Sequence, residues 1–130
     1  MRFSIAASVA ALSALVSAGV VDIETATVTD LFIRDNNGIQ AAGFTVQGVK
    51  CSVSSGAKIA KGKEAKCGTS QYQFGITGSI SDYTLSISKD LGTGAGITGK
   101  THIDVNCHAA GPDPNDYVCS QAGQIYVTLK

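Results

Sequence analysis

Apolar and polar residues alternate along much of this chain, and the alternation has the period of a β-strand. It is clearest at residues 71–77, 83–88 and 124–129. Successive side chains of a strand point to opposite faces of a sheet, so a strand buried on one face alone shows this pattern. Outside the N-terminal segment, no stretch keeps a helical period for more than two turns. The chain is therefore predicted to be all-β.

Residues that favour turns divide the first half of the chain into strands. Residues 25–34 are rich in β-branched and aromatic types, which predicts the first strand, preceded by a loose leader at residues 20–24. Asn37-Gly38 accepts the positive φ of a tight hairpin turn, which predicts a long returning strand at residues 39–53. Small residues at positions 41–43 predict a bulge or bend near the start of that strand.

The second half continues the pattern. Residues 78–82 have the length of a hairpin loop, and a glycine-rich crossing leads into a strand at residues 100–107. A polar loop with two prolines separates that strand from the last one, and Cys107 and Cys119 would close this loop at its base. Six or seven short strands in one chain predict a compact antiparallel β-barrel or sandwich.

Residues 1–18 have the form of a secretory signal peptide. Arg2 provides a positive charge, residues 5–16 are apolar or small, and the segment ends with small residues that signal peptidase accepts. Its apolar core is shorter than the roughly 20 residues that span a bilayer, and no comparable run follows, so no membrane span is predicted. Cleavage after Ala18 would leave residues 19–130 as a single secreted, extracellular domain.

The four cysteines predict two disulfides rather than a metal site, because the chain is predicted to be secreted and contains no CxxC pair. Three pairings are formally open. Joining Cys51 to Cys67 and Cys107 to Cys119 closes two short local loops, and each closure would add roughly 3 kcal/mol of stability through loop entropy. This pairing is the preferred prediction.

Charge gives no sign of a nucleic-acid or membrane partner. Without Arg2 the chain carries nine Lys and Arg residues against ten Asp and Glu residues, a net charge near minus one. The lysine-rich segment between Cys51 and Cys67 has two interpretations. It binds an anionic partner, or it is a solvated loop whose charges discourage other chains from pairing with a sheet edge. The solvated loop is the simpler interpretation. Five of the nine cations lie in or beside it: Lys50, Lys58, Lys61, Lys63 and Lys66.

Three motifs have the letters of a ligand site without its context. Gly94, Gly96 and Gly99 match a dinucleotide-binding pattern, but a strand follows them where that motif needs a helix N-terminus, so no cofactor is predicted. Two polar clusters raise the question of a metal, but a solvated strand face and a turn that bonds its own backbone are the simpler interpretations. The first cluster consists of alternate residues of one predicted strand: His102, Asp104, Asn106 and His108. The second consists of Asp113, Asn115 and Asp116, whose spacing departs from that of an EF-hand.

No catalytic constellation is visible either. The chain has no GxSxG sequence and no cysteine predicted to be free, and its two histidines lie close together on or beside one predicted strand. A hydrolase using His102 or His108 with a carboxylate has no local signature. The protein is predicted not to be an enzyme.

Several stretches together resemble the Alternaria major allergen family of small secreted fungal proteins. Residues 106–111, 114–119 and 125–129 resemble its cysteine loop and closing strand, residues 28–34 its opening strand, and residues 43–46 with the first two cysteines its middle. The resemblance implies a compact β-barrel with one intramolecular disulfide in each half. It also implies a secreted protein without established activity that acts as an allergen or, on plants, as an effector or elicitor.

The resemblance also bears on assembly. The founding family member is expected to carry an extra cysteine near its mature N-terminus that links two subunits, and residues 19–50 here contain no cysteine. We therefore expect a monomer or a non-covalent homodimer.

Two hypotheses for function follow. The leading one is a non-enzymatic protein that binds a component of a plant host through surface loops that a rigid sheet displays. The alternative is a carrier of a small apolar or aromatic ligand in a barrel mouth or subunit interface, which needs a dry pocket lined by Phe44, Tyr72 and Phe74. The candidate contact residues of the leading hypothesis are Lys58, Lys61, Lys63, Lys66, Asp113, Asn115 and Asp116.

Overall fold

Ten antiparallel strands make up nearly all of the regular structure in the described part of the chain. The computed structural model describes residues 23–92 and 94–130, and the predicted signal peptide at residues 1–18 lies outside the described residues. No helix in the described chain is long and apolar enough to cross a membrane. The strands are β1 (Glu24–Asn36), β2 (Ile39–Val46), β3 (Val49–Val53), β4 (Ala65–Lys66), β5 (Tyr72–Ser79), β6 (Asp82–Asp90), β7 (Gly96–Ile103), β8 (Val105–Ala109), β9 (Asp116–Gln121) and β10 (Ile125–Leu129), with short 3-10 turns at Gly56–Lys58 and Ala60–Gly62.

The strands form two sheets, and the long strand β1 organises the first. That sheet has the order β3-β2-β1-β9-β8, and β10 pairs with the N-terminal half of β1 while β9 pairs with its C-terminal half. The second sheet has the order β4-β5-β6-β7. A bulge in β1, where Asp30 has a φ of 56°, separates the two halves of the strand.

Two seams join the sheets into a barrel. At one seam, the backbones of Lys130 and Thr98 exchange hydrogen bonds of 3.0 and 3.5 Å between the end of β10 and β7. Only a glycine fits beside this seam, because a Cβ on Gly99 would lie 2.1 Å from the carbonyl oxygen of Thr128. At the other seam, the disulfide Cys51–Cys67 joins β3 to the residue after β4.

Side chains from both sheets fill the interior. The rings of Phe44 and Phe74 meet edge to face with centroids 4.9 Å apart, one from each sheet. Phe44, Tyr72 and Phe74 are all buried and pack in the core, and Phe44 also lines a surface hollow of about 200 Å³ beside Phe32 and Cys51. Rings that pack in the core do not form the dry pocket that the carrier hypothesis places in the barrel, and its other site, at a subunit interface, stays a prediction. The predicted all-β barrel with the disulfides Cys51–Cys67 and Cys107–Cys119 is confirmed.

Two predicted strands are wrong in extent. The strand predicted at residues 39–53 is two strands, because Gln47 and Gly48 both have positive φ and reverse the chain. The strand predicted at residues 100–107 begins at Gly96 and breaks at Asp104, where the chain passes from one sheet to the other.

The C-terminal segment also differs from the prediction. The loop between the last two predicted strands contains a further strand, β9, so that Cys107 and Cys119 lie directly opposite each other in a β8–β9 hairpin. Strand β10 pairs with β1 and not with β8.

At the N-terminus, the predicted leader at residues 20–24 is wrong at its last residue, since Glu24 begins β1; residues 20–22 lie outside the described residues. The bulge predicted at residues 41–43 falls one residue earlier, between Ile39 and Ala41.

Candidate functional site

Four connections meet at one end of the barrel and form what we call the turn surface. They are the β1–β2 turn around Asn37-Gly38, the β5–β6 turn around Ile80-Ser81, the lysine loop (residues 54–66) and the aspartate loop (residues 110–115). A hollow of about 520 Å³ lies between the β1–β2 turn and the lysine loop, and a hollow of about 280 Å³ lies between the same turn and the aspartate loop. Asn37, Gly38 and Gly78 line both. The fold thus places the two predicted contact loops on either side of one hairpin turn.

Buried contacts hold the lysine loop in place. Ile59 is only 1% exposed and anchors the loop in the core. Gly56 lies so close to the carbonyl oxygen of Ile39 that a side chain cannot fit there. Four lysines nevertheless point to solvent, and within the described residues none of them forms a salt bridge: Lys58, Lys61, Lys63 and Lys66. The loop is a fixed backbone that displays free ammonium groups.

The aspartate loop is also fixed, by its own polar side chains. Asp113 accepts a hydrogen bond from the backbone N–H of Asn115 at 3.0 Å, as expected for a self-bonding turn, and a second from the amide of Asn36 at 3.4 Å. Both Asp113 and Asn115 are exposed.

Asp116 does not lie on the exposed loop as predicted. It begins β9, it is 7% exposed, and its carboxylate accepts two hydrogen bonds from the guanidinium of Arg34, at 2.9 and 3.3 Å. The hydrogen bond and charge of Asp116 raise the pKa of Arg34. Asp116 therefore ties the aspartate loop to β1 and is not available to a partner in the way that Asp113 is.

A buried pair beneath the β1–β2 turn was missed by the sequence interpretation. Asp35 is 4% exposed and accepts hydrogen bonds from the hydroxyl of Tyr83 at 2.6 Å and from the backbone N–H of Gly38 at 2.9 Å. Burial, and then the hydrogen bond to Asp35, raise the pKa of Tyr83 well above its ordinary value. Asp35 shares the inward parity of Ile33, which was the available signal. The pair locks the turn to β6.

The histidine cluster predicted on one strand face is divided between two sheets. His102 is the second-last residue of β7 and lies 3.2 Å from Asp82 and 3.8 Å from Asp104, whereas Asn106 and His108 belong to β8. Among the described residues, no three His, Cys, Asp or Glu side chains are grouped to hold a metal, and neither histidine side chain bonds a hydroxyl or thiol. These residues do not assemble a Ser-His-Asp arrangement.

A second polar cluster lies at the opposite end of the barrel. Glu24 accepts hydrogen bonds from Lys89 and from the hydroxyl of Tyr72, both at 2.6 Å. Burial alone would raise the pKa of Glu24, but these two hydrogen bonds and the charge of Lys89 outweigh it and lower the pKa. Since Glu24 lies on β1 and its partners on the other sheet, the cluster fastens the sheets together.

Comparisons with known proteins give a consistent result. A family model described as Alternaria alternata allergen 1 matches residues 28–119. Two crystal structures of allergen Alt a 1 from Alternaria alternata are similar, with TM-scores of 0.67 and 0.66 and sequence identities of 21% and 20%. The alignments cover 82% of this chain in both cases, and 87% and 92% of those chains. At sequence identities this low, the similarity to these structures establishes the fold of this chain and not its function. Comparison with curated protein sequences gave no significant match.

Proposed function

This chain belongs to the Alternaria alternata allergen 1 family, and from that premise we propose that it is a secreted, non-enzymatic protein that binds a component of a plant host through the turn surface. In this proposal it acts outside the fungal cell, as an effector or elicitor, and it is an allergen as the family name indicates. The predicted signal peptide and the two disulfides support the extracellular location, because disulfides persist in oxidising compartments.

The observation that carries the proposal is the convergence of two rigid loops on one side of the molecule. The lysine loop and the aspartate loop flank the Asn37-Gly38 turn, and each lines one of the two hollows beside that turn. Fixed loops on a β-scaffold are suited to recognition because little conformational entropy is lost when a partner binds. The free ammonium groups on one side, and Asp113 and Asn115 on the other, present a surface of mixed charge.

Capture of partners from leaf apoplastic fluid tests the proposal. Immobilised oxidised protein is compared with reduced and alkylated protein, and with the variant Lys58→Gln/Lys61→Gln. The matched control is Lys50→Gln/Lys130→Gln, which removes two exposed lysines outside the lysine loop. We expect the wild type and the control to retain the same host component, and the reduced protein and the lysine-loop variant to lose it. Equal retention by the reduced protein, or no retained component at all, contradicts the proposal.

A further inference from the structure

The outer face of the second sheet carries a groove that continues from the turn surface. A hollow of about 260 Å³ lies over β5, β6 and β7. It meets the 520 Å³ hollow at Thr77, which lines both. At Ser88 and Thr98 it meets another hollow of about 280 Å³, which is distinct from the one beside the aspartate loop. We call the surface formed by these three adjoining hollows the hydroxyl groove. Its central part is lined mainly by hydroxyl side chains: Thr77, Thr84, Ser86, Ser88 and Thr98.

The lysine loop forms one wall of the groove, and specific contacts hold that wall against the sheet. The carbonyl oxygen of Lys63 lies over Gly75, where a Cβ would come within 2.8 Å. The carboxylate of Glu64 accepts hydrogen bonds from the hydroxyl of Ser88 at 2.8 and 3.0 Å. The groove is thus a built feature of the fold, and a side chain at position 75 would push its wall away.

The chemistry of the groove suits sugars that carry carboxylates. Hydroxyl side chains both donate and accept hydrogen bonds, as sugar hydroxyls do, and Glu64 adds an acceptor. Lys61 lines the 520 Å³ hollow and Lys100 lines the 260 Å³ hollow, and within the described residues neither forms a salt bridge. Of the other charged lining residues, Lys89 is paired with Glu24, and Asp90 accepts a hydrogen bond from Gly92.

Other chain-like ligands fit less well. An extended peptide binds by adding a strand to a free sheet edge, whereas the groove crosses the face of strands whose backbones are already paired. Single-stranded nucleic acid stacks its bases on aromatic side chains, and none of the described residues that line the three hollows is aromatic. We propose that the hydroxyl groove binds a linear acidic polysaccharide, a polymer of uronic acids, which deepens the proposed function by naming the class of host component.

Affinity electrophoresis in gels containing polygalacturonate tests this inference, with dextran as the neutral polymer. We expect polygalacturonate to retard the wild type and dextran to leave it unaffected. Thr84→Val/Thr98→Val removes two groove hydroxyls, keeps a β-branched residue at each position, and should weaken binding about tenfold. Lys61→Gln/Lys100→Gln should weaken it by a similar factor, and Lys50→Gln/Lys130→Gln should not. Melting temperature and circular dichroism establish that each variant is folded.

Any other result of the electrophoresis counts against binding of an acidic polysaccharide by the hydroxyl groove. Retardation by dextran, or a dependence on lysines with no effect of the threonine substitutions, would mean general polymer or polyanion binding and overturn the inference. The result also separates the inference from the function on which it rests. If polygalacturonate does not bind but a host component is still captured from apoplastic fluid, only the polysaccharide inference fails; if neither is retained, both fail.

Discussion

Asp35 is the residue that most directly sets the shape of the turn surface. Its carboxylate holds the β1–β2 turn through Gly38 and holds β6 through Tyr83; the contact with Tyr83 is buried and the contact with Gly38 is partly buried. A buried carboxylate that loses one partner keeps its desolvation cost without full compensation. The geometry of both hollows therefore depends on a nearly buried carboxylate, which itself lines the smaller of the two.

Replacing Tyr83 tests this role. Tyr83→Phe removes the hydroxyl and leaves Asp35 with the backbone N–H of Gly38 alone, so we expect a loss of about 1 to 3 kcal/mol in the free energy of unfolding. Tyr126→Phe is the control, because the Tyr126 side chain is largely exposed, and it should change stability by less than about 0.5 kcal/mol. Urea unfolding measures both. Equal losses of unfolding free energy in the two variants would show that the hydrogen bond between Tyr83 and Asp35 does not stabilise the fold.

At the opposite end of the barrel, the lowered pKa of Glu24 predicts that the free energy of unfolding depends on pH. Its pKa is lowered in the folded state from an ordinary value of 4.5, so its contribution to stability is present above that value and is lost as pH falls through the folded pKa. Glu24→Gln should reduce the free energy of unfolding by about 1 kcal/mol at neutral pH, and the difference from wild type should disappear in acid.

Unfolding of Glu24→Gln as a function of pH measures this difference. Glu64→Gln, at an exposed glutamate that forms no salt bridge within the described residues, is the control and should show a difference below about 0.5 kcal/mol throughout. A Glu24→Gln difference that stays constant through the acid range contradicts the assigned pKa direction.

At the scale of single residues, alternation identified most of the core but not its polar members. Ile33, Val127 and Leu129 are buried where the period of two places them. Asp35 and Asp116 are buried because distant partners satisfy their carboxylates, and a distant partner leaves no trace in local periodicity.

At the scale of strands, the sequence predicted the turns that contain residues with a known preference for turns, and it missed the turns and breaks that lack such residues. Asn37-Gly38 has the composition of a hairpin turn and forms one. Gln47 adopts a positive φ without being a preferred turn residue, and its side chain accepts a hydrogen bond from the backbone N–H of Thr27 at 3.0 Å. The break at Asp104 arises because the chain changes sheets there, which depends on the whole topology.

The β7–β10 seam gives a prediction at this scale. In Gly99→Ala the new methyl group would meet the Thr128 carbonyl oxygen and force the strands apart, so we expect destabilisation of about 1 to 3 kcal/mol. Gly123→Ala is the control, since a Cβ there meets nothing within 4 Å. Thermal unfolding compares the two. A neutral Gly99→Ala would show that the sheets are not closed along this seam.

The two disulfides should protect different parts of the fold from hydrogen exchange. Replacing Cys51 and Cys67 by alanine frees the seam between β3 and β4, so hydrogen exchange should accelerate in the lysine loop. Replacing Cys107 and Cys119 should accelerate exchange in β8 and β9 and leave the lysine loop unchanged. Mass spectrometry of exchanged peptides measures both effects. Identical exchange patterns in the two variants would contradict the assignment of each disulfide to its own region.

At the scale of the whole molecule, the sequence predicted the fold class and the disulfides but not the arrangement of the site. The lysine loop ends at residue 66 and the aspartate loop begins at residue 110, about a third of the chain further on, and they were identified as separate candidates. They meet because β1 pairs with β2 on one side and β9 on the other, a non-local pairing that local patterns do not encode. The hydroxyl groove is hidden from sequence for the same reason.

The central claim is that a rigid, oxidised barrel elicits a plant response through its turn surface. The most direct measurement is ion leakage from leaves infiltrated with wild-type protein, with Lys58→Gln/Lys61→Gln, and with Lys50→Gln/Lys130→Gln at equal concentration. The account predicts a response to the wild type and to the control pair, and a clearly reduced response to the lysine-loop pair with its fold intact. No response to any sample, or an equal response to all three, would contradict it.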